Sequence, residues 1–490
     1  MGSKMNTKVL LINSPTIKNQ FVGSDNYFPL GLMYLSSKLK QNDIETKILD
    51  ANNYYFDKEV TSLIVQNYAE KELIRSIEEF NPDAIGIGCI FSGAFTSLKI
   101  MAKAIKNRFP NIPIVVGGIQ ATIFSKEILK KYNFIDFVIV GEGEESFLTL
   151  VKNISQGATS VSSIDGLAYR DDGEVKLNPK TKFISDPDTL PFPDYSAVNV
   201  DEYNMDTSGW YSPKGLKIGQ PYNVITSRSC PQHCTFCSMW LVHGLKTRSR
   251  SAENVLDEIE FLYNEHDVRY FEFMDDNMTF VKQRTLDICR GILKRKLDIQ
   301  FATPNGVAMN RLDKEIIDAM VEAGMIWISV APESGSEFIR NKCMGKGLSN
   351  EKIYEIVNVC ATHKKLFVKG FFIIGMPQET HETLDETYKM IKELPLDKYA
   401  LNFATAYPGT KLFEYCIKNG LIKYQLEDYM DIEDLQFRSN KPHFKPHNLE
   451  IEDLIEFQKK GYAYMEEVRS KSKVPGNYPL RYENTANSLR

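Results

Sequence analysis

At 490 residues the chain is too long for one ordinary core, and length alone points to about three domains. Hydrophobic residues at 43% and charged residues at 25% exclude a disordered or fibrous chain and fit well-cored globular units. A formal net charge of −5 provides no footprint for nucleic acid, and no apolar run is long enough to span a bilayer, so neither nucleic acid nor membrane is an expected partner. Residues 1–4 precede a second methionine, Met5, and are set aside as an appended piece. The N-terminus has no apolar stretch with a small-residue cleavage site, which makes the expected location cytoplasmic.

Short apolar runs at 8–12, 45–49, 84–89, 114–116 and 137–140 read as buried parallel strands. Helical patterns at 30–39, 72–80, 96–109 and 126–132 supply the crossovers. Residues 5–155 are therefore expected to form an α/β, doubly wound (Rossmann- or flavodoxin-like) domain. Ligands of such sheets lie at the carboxyl ends of the strands, where this chain has Ser92, Gly93, Gly117, Gly118, Gly141 and Gly143. Each glycine alone reads as a tight turn; as a set on one edge they suggest a large flat ligand.

Residues 156–220 change character, with Gly166, Asp171, Gly173, Pro179, Pro187, Pro191 and Pro193 marking a linker with one hairpin. A second alternation then begins, with strands expected at 222–228, 269–274, 299–303, 326–331, 367–374 and 399–405. One intervening helix is capped by Asp313, striped by Ile316, Ile317, Met320 and Val321, and stopped by Gly324. Six such units predict a partial (β/α)6, TIM-like barrel over 221–410, open on one side, with function at the strand carboxyl ends. Residues 411–490 are expected to form a small, mostly helical region with a frayed tail at 482–490.

Eight cysteines occur, at 89, 230, 234, 237, 289, 343, 360 and 416, and this clustering points to metal or redox chemistry rather than disulfides. Cys230, Cys234 and Cys237 lie in SCPQHCTFCS, directly behind the first strand of the second alternation. Three thiolates on one loop can hold three irons of a 4Fe-4S cubane, and the next cysteine, Cys289, belongs to another strand-helix unit. The fourth iron is left to bind the amino and carboxylate groups of S-adenosylmethionine (SAM) and to pass an electron into its sulfonium, yielding a 5'-deoxyadenosyl radical. Zinc held with His233 or His243 is the competing metal reading, weakened because no second ligand hairpin follows. The isolated Cys343, Cys360 and Cys416 read as small buried hydrophobes.

The Cx3Cx2C loop, with Phe236 before its last cysteine, resembles the signature of radical SAM enzymes. PLGLMYL at 29–35, VGGIQAT at 116–122, VGEGE at 140–144, MDDN at 274–277, TPNGV at 303–307, APESGS at 331–336, FFIIGMPQET at 371–380 and AYPGT at 406–410 extend the likeness over almost the whole chain. The chain thus resembles the class B methyltransferase-like branch that carries an N-terminal cobalamin-binding domain. The resemblance implies that Asp275, Asp276 and Asn277 engage the SAM amino group, Glu333 and Asn305 the ribose, and Phe236 the adenine side. Arg248 and Arg250 balance the SAM carboxylate or form a solvated basic run. Ser92, Gly117, Gly118, Gly141, Glu142 and Gly143 are implied to surround cobalamin. No catalytic acid or base is assigned, because in such a site the cofactors carry the chemistry.

One departure stands out: no histidine occurs between residues 1 and 232. Cobalamin is therefore expected base-off, with no imidazole from the N-terminal domain. The implied reaction is methylation of an unactivated carbon or phosphorus centre of a small molecule or peptide, through a 5'-deoxyadenosyl radical and methylcobalamin. An external electron donor such as flavodoxin or ferredoxin is implied. A cobalamin-dependent rearrangement, ring contraction or oxidative cyclisation is the alternative, and a non-catalytic corrinoid and iron-sulfur module is a remoter one. A methylthiotransferase is disfavoured, since only Cys89 precedes residue 230. Substrate contacts are expected from 203–211, 239–244 and 424–437, with Trp210, Trp240 and Tyr407 as aromatic candidates.

Overall fold

The computed structural model describes residues 7–17, 27–54, 60–90, 92–158, 160–203, 211–216, 220–423, 430–431, 441–472 and 478–480. Trp210, the tail at 482–490 and most of 424–437 lie outside the described residues. Two compact units form: one from Met1–Met205, Leu241–Gly244 and Tyr424–Phe437, the other from Asp206–Trp240, Leu245–Lys423 and Arg438–Arg490. No described helix is long and apolar enough to cross a membrane.

In the first unit, β1 (Lys8–Asn13), β2 (Glu45–Asp50), β3 (Ala84–Gly88), β4 (Ile114–Gly117) and β5 (Phe137–Ile139) are parallel in the order β2-β1-β3-β4-β5. Both faces of this sheet are covered, which is why β1 reads as an unbroken apolar run with Val9, Leu10, Leu11 and Ile12 all 0% exposed. Burying each such side chain contributes about 1.5–3 kcal/mol. Helices Leu30–Lys40, Phe95–Arg108, Ser125–Lys131 and Glu144–Ser155 cover the faces. Winding reverses between β1 and β3, which opens a crevice at their carboxyl ends. There the loop after β1 meets the loop after β3, with Ile17 N–H donating to Gly93 O at 3.2 Å.

The stretch 156–220 is more than a linker. Its hairpin, β6 (Leu167–Asp171) and β7 (Glu174–Leu177), adds two antiparallel strands to the edge left by β5. Asp172 and Gly173 both take left-handed φ, 49° and 85°, the backbone a two-residue hairpin turn requires. Leu167, Ala168 and Tyr169 are buried, so pairing with β5 covers apolar surface that a solvated linker would expose.

The second unit is built on β8 (Tyr222–Val224), β9 (Ser227–Arg228), β10 (Arg248–Ser249), β11 (Tyr270–Phe273), β12 (Gln300–Val307), β13 (Met325–Glu333), β14 (Phe367–Ile374) and β15 (Lys398–Phe403). Six of these form one parallel sheet in sequential order, β8-β11-β12-β13-β14-β15, the expected open barrel wall. The strand expected over 222–228 is split: β8 ends at Val224, and β9 pairs antiparallel with β10 instead. Asp313 caps the helix Lys314–Glu322, its carboxylate accepting from Ile316 N–H at 3.0 Å. Helices Lys411–Lys418 and Ile451–Ser472 supply the helical C-terminal part.

Candidate active site

The cysteine loop leaves the carboxyl end of β8 and is tied down by the residues that follow β11. Asp275, 2% exposed, accepts at Oδ1 from Thr226 N–H (3.1 Å), the Thr226 hydroxyl (2.8 Å) and the Ser227 hydroxyl (2.5 Å). These bonds turn the chain out of the sheet after Val224 and split the expected strand. Asp276 Oδ2 accepts from Ser229 N–H at 2.8 Å, holding the residue before Cys230 in a left-handed conformation with φ 72°. Asn277 Nδ2 lies 3.9 Å from Cys230 Sγ. Farther along the loop, Thr235 donates its N–H to Met344 O and its hydroxyl to Cys343 O, both at 2.9 Å, and Leu412 N–H donates to Thr235 O at 2.9 Å.

Burial pushes all three thiols up, Cys234 to about 11 and Cys237 to about 12. Cys230 and Cys234 each raise Cys237 further, so the thiols are close enough to feel one another's charge. Three thiolates here need a compensating positive centre, which iron supplies and which Lys346 supplies in part at Cys230 and Cys234. Among the described residues, no group of three or more His, Cys, Asp or Glu side chains is arranged to hold a single metal ion. A cubane differs in taking one thiolate per iron, so its ligands need not converge on one point.

The residues read as SAM contacts divide. Asp275 is tied to Thr226 and Ser227 through Oδ1, with Oδ2 sharing only the Thr226 N–H at 3.3 Å, so it positions the loop. Asp276 and Asn277 flank Cys230 directly. Asn305 is exposed at the end of β12, its amide donating to Met274 O at 3.0 Å. Glu333 ends β13 at φ 65° and is buried, its Oε1 accepting from Lys346 Nζ at 2.6 Å. Phe236 is half-buried within the loop. Arg250 is neither a SAM carboxylate partner nor solvated: it is buried in an ion pair with Glu258 and bonded to Asn254 Oδ1 (2.6 Å) and Ile225 O (3.1 Å). Arg248 is likewise buried, its Nε donating to Lys246 O at 3.2 Å. Trp240 and Tyr407, considered for substrate contact, are half-buried.

Two residues that sequence reasoning left unassigned take part. Lys346 is the cation beside the cysteine loop, and its one signal was its place in the glycine-flanked MGKG. Glu379, in the quoted FFIIGMPQET, is buried and folds its own strand end. Its Oε2 accepts from Gly375 N–H (2.8 Å) and Met376 N–H (3.2 Å), and burial raises its carboxyl to about 7.

In the first unit, Gly118 has φ 105°, and a Cβ there would lie 2.3 Å from Cys89 O, so only glycine lets the loop after β4 pass that close to β3. A Cβ on Gly117 would meet nothing within 4 Å. Ser14, directly after β1, is buried with a hydroxyl that has no hydrogen-bond partner among the described residues. Open space at Gly117 and an unsatisfied hydroxyl at the switch point are what a bound flat ligand with amide side chains would fill. Ser92 donates to Gln120 Oε1 at 3.1 Å, and Gln120 in turn donates to Met430 O at 3.1 Å.

The Gly141, Glu142 and Gly143 turn is tied into the unit, Gly141 N–H donating to the Thr122 hydroxyl at 2.9 Å. Glu142 is buried with Oε2 accepting from Ile184 N–H at 2.9 Å and Oε1 at 3.4 Å from His243 Nδ1, and a Cβ on Gly141 would meet Val242 O at 3.0 Å. This turn clamps residues 180–184 and 241–244 to the unit; its carboxylate is used internally. It also brings one imidazole, His243, into a unit whose N-terminal segment, Met1–Met205, has none.

The B12 binding domain family matches residues 23–151, and the Radical SAM superfamily matches residues 224–391. An uncharacterized methyltransferase of Pyrococcus horikoshii, PH0819, is 33% identical, with 85% of this chain and 84% of the relative covered. Cytidylyl-2-hydroxyethylphosphonate methyltransferase of Streptomyces wedmorensis is 31% identical over 85% of this chain and 82% of its own. Among solved structures, the radical SAM methyltransferase TsrM of Kitasatospora setae, with cobalamin and a [4Fe-4S] cluster bound, superposes with a TM-score of 0.66 at 17% identity, covering 86% of this chain and 76% of that one; this likeness is one of fold. With a B12-binding region ahead of a radical SAM barrel and methyltransferase relatives matched over most of both lengths, the chain belongs to the cobalamin-dependent radical SAM enzyme family.

Proposed function

We propose that the chain is a cobalamin-dependent radical SAM methyltransferase that methylates a carbon or phosphorus centre of a small molecule or peptide. The observation that carries this reading is the set of three cysteines on one loop at the carboxyl end of β8, Cys234 buried and Cys230 and Cys237 half-buried, flanked by Asn277 and by the Glu333–Lys346 pair. When bound, the cluster supplies the electron that cleaves SAM to a carbon radical, and the corrinoid carries the methyl group. Cys230, Cys234 and Cys237 hold the cluster. Asp276, Asn277 and Asn305 offer acceptors for the SAM ammonium and ribose. Lys346 would hold the SAM carboxylate and Glu333 the ribose hydroxyls, the two side chains being paired with each other at 2.6 Å.

Residues 5–155 take the corrinoid, with Ser14, Ser92, Gly117 and Gly118 at its rim. It binds base-off, consistent with the absence of histidine from residues 1–232 and with the His243 imidazole facing Glu142. Residues 221–410 take cluster and SAM, and the helix Ile451–Ser472 braces the wall at β15. Flavodoxin or ferredoxin as electron donor and a cytoplasmic setting belong to the same reading.

The test is an anaerobic reaction of cluster-reconstituted protein with cobalamin, SAM and a strong reductant, scored for 5'-deoxyadenosine and S-adenosylhomocysteine. Both products are expected, with the first lost in Cys234→Ala. Deoxyadenosine without S-adenosylhomocysteine would replace methyl transfer by rearrangement or cyclisation.

A further inference from the structure

Between β13 and the helix Asn350–Thr362 the chain makes an excursion whose two ends meet at one guanidinium. Arg340 is 0% exposed and is among the largest side chains so enclosed. Its Nε donates to Leu348 O at 2.7 Å, its Nη1 to Ser334 O at 2.5 Å and its Nη2 to Asn350 Oδ1 at 2.7 Å. Glu337 Oε1 lies 3.3 Å from the same Nη2. Taking a guanidinium out of water is costly, and an apolar side chain would fill the space without that cost. Only a rigid fork of donors holds acceptors from three separate turns at fixed positions.

What this clasp holds is the segment beside the cysteine loop. The turn Phe338–Cys343 is a π-helix, a rare form that inserts one extra residue, with Met344 N–H donating to Ile339 O at 2.9 Å. Lys346 N–H donates to Arg340 O at 3.0 Å. Asn341 pairs reciprocally with Leu348, its Nδ2 donating to Leu348 O at 3.0 Å and its Oδ1 accepting from Leu348 N–H at 2.9 Å. On its other side the segment meets the cysteine loop: Thr235 donates to Met344 O and Cys343 O, and a Cβ on Gly345 would lie 3.5 Å from His233 O. Ser334, clasped at one end, directly follows Glu333, whose φ of 65° is strained for any residue but glycine. Lys346, two residues before the other end, reaches back to Glu333 at 2.6 Å.

We propose that Arg340 is a positioning residue for SAM: by clasping Ser334 to Leu348 it sets where the Lys346 ammonium and the Glu333 carboxylate stand beside the cysteine loop, without touching SAM itself. A lysine at this position keeps the charge but replaces the fork by one flexible ammonium, so it cannot hold Ser334 O, Leu348 O and Asn350 Oδ1 together. This inference rests on the reading in which Lys346 holds the SAM carboxylate, and deepens it by naming the group that places Lys346.

The experiment is a double-mutant cycle on SAM affinity, measured by equilibrium dialysis of cluster-loaded protein and normalised to iron and sulfide per chain. Arg340→Lys is expected to weaken SAM by about tenfold, as loss of a group that orients a contact residue does. Asn341→Ala, which removes the milder tie to Leu348, is expected to cost about threefold and keeps the test readable if Arg340→Lys fails to fold. In the Lys346→Met background both losses should shrink to within about twofold, because the residue they act through is gone. A residue that merely stabilises the barrel would give losses that add in full. Wild-type affinity in Arg340→Lys and Asn341→Ala, or losses undiminished in the Lys346→Met background, would overturn the assignment while leaving the SAM role of Lys346 standing. No loss in Lys346→Met itself would overturn that role, and this assignment with it.

Discussion

Asp275 is the sharpest place to separate a loop-positioning residue from a SAM contact. Its carboxylate is 2% exposed and takes three donors from Thr226 and Ser227, and Arg284, which donates to Arg250 O and Thr226 O, adds charge nearby. Burial pushes this carboxyl above the ordinary range, and Arg284, Ser227 and Thr226 pull it back. Asp275→Ala strands three buried donors, each costing about 1–3 kcal/mol, so a loss of roughly 3–6 kcal/mol is expected once partial relaxation is allowed. Denaturant unfolding of the loaded protein measures that loss, and iron and sulfide per chain measure how well the loop still holds its cluster. Both should fall, whereas SAM affinity in the cluster-loaded fraction should stay within about twofold, since the bonds Asp275 makes all go to the loop. Full iron retention with SAM affinity reduced tenfold or more would refute this reasoning.

Lys346→Met should weaken SAM binding by about tenfold or more in the cluster-loaded fraction, the cost of one charge-assisted contact, read by equilibrium dialysis. Glu379 titrates near 7 when folded, against 4.5 for its ordinary carboxyl. Its folded value is raised, so the neutral carboxyl favours the fold below pH 4.5, and stability falls as pH rises to 7, by about 3 kcal/mol at most. In Glu379→Gln that pH-dependent fall should vanish, as denaturation midpoints across this window would reveal. Gly118→Ala should destabilise the protein by about 3 kcal/mol or more through positive φ and the Cys89 carbonyl, whereas Gly117→Ala should stay within about 0.5 kcal/mol yet weaken cobalamin binding. Calorimetry and corrinoid absorbance titration separate the two.

Local pattern carried most of the architecture. The apolar run of β1, the Asp313 cap and the Asp172–Gly173 turn each act within a few residues, so composition and spacing suffice to read them. The cysteine loop was legible for the same reason: three ligands within eight residues need no tertiary contact to be recognised.

What depended on contacts distant in sequence was decided only by the tertiary structure. The antiparallel seat of the 167–177 hairpin on β5 followed from an unpaired strand edge. Asp275 anchors the loop because Thr226 and Ser227, 49 and 48 residues earlier, reach it. Glu142 turned inward because Ile184 and His243 fold against it, and Lys346 gained its place through Glu333 and the cysteines. In each case a charged side chain buried away from water takes whichever partner the fold brings within hydrogen-bond distance, and sequence spacing does not encode that distance.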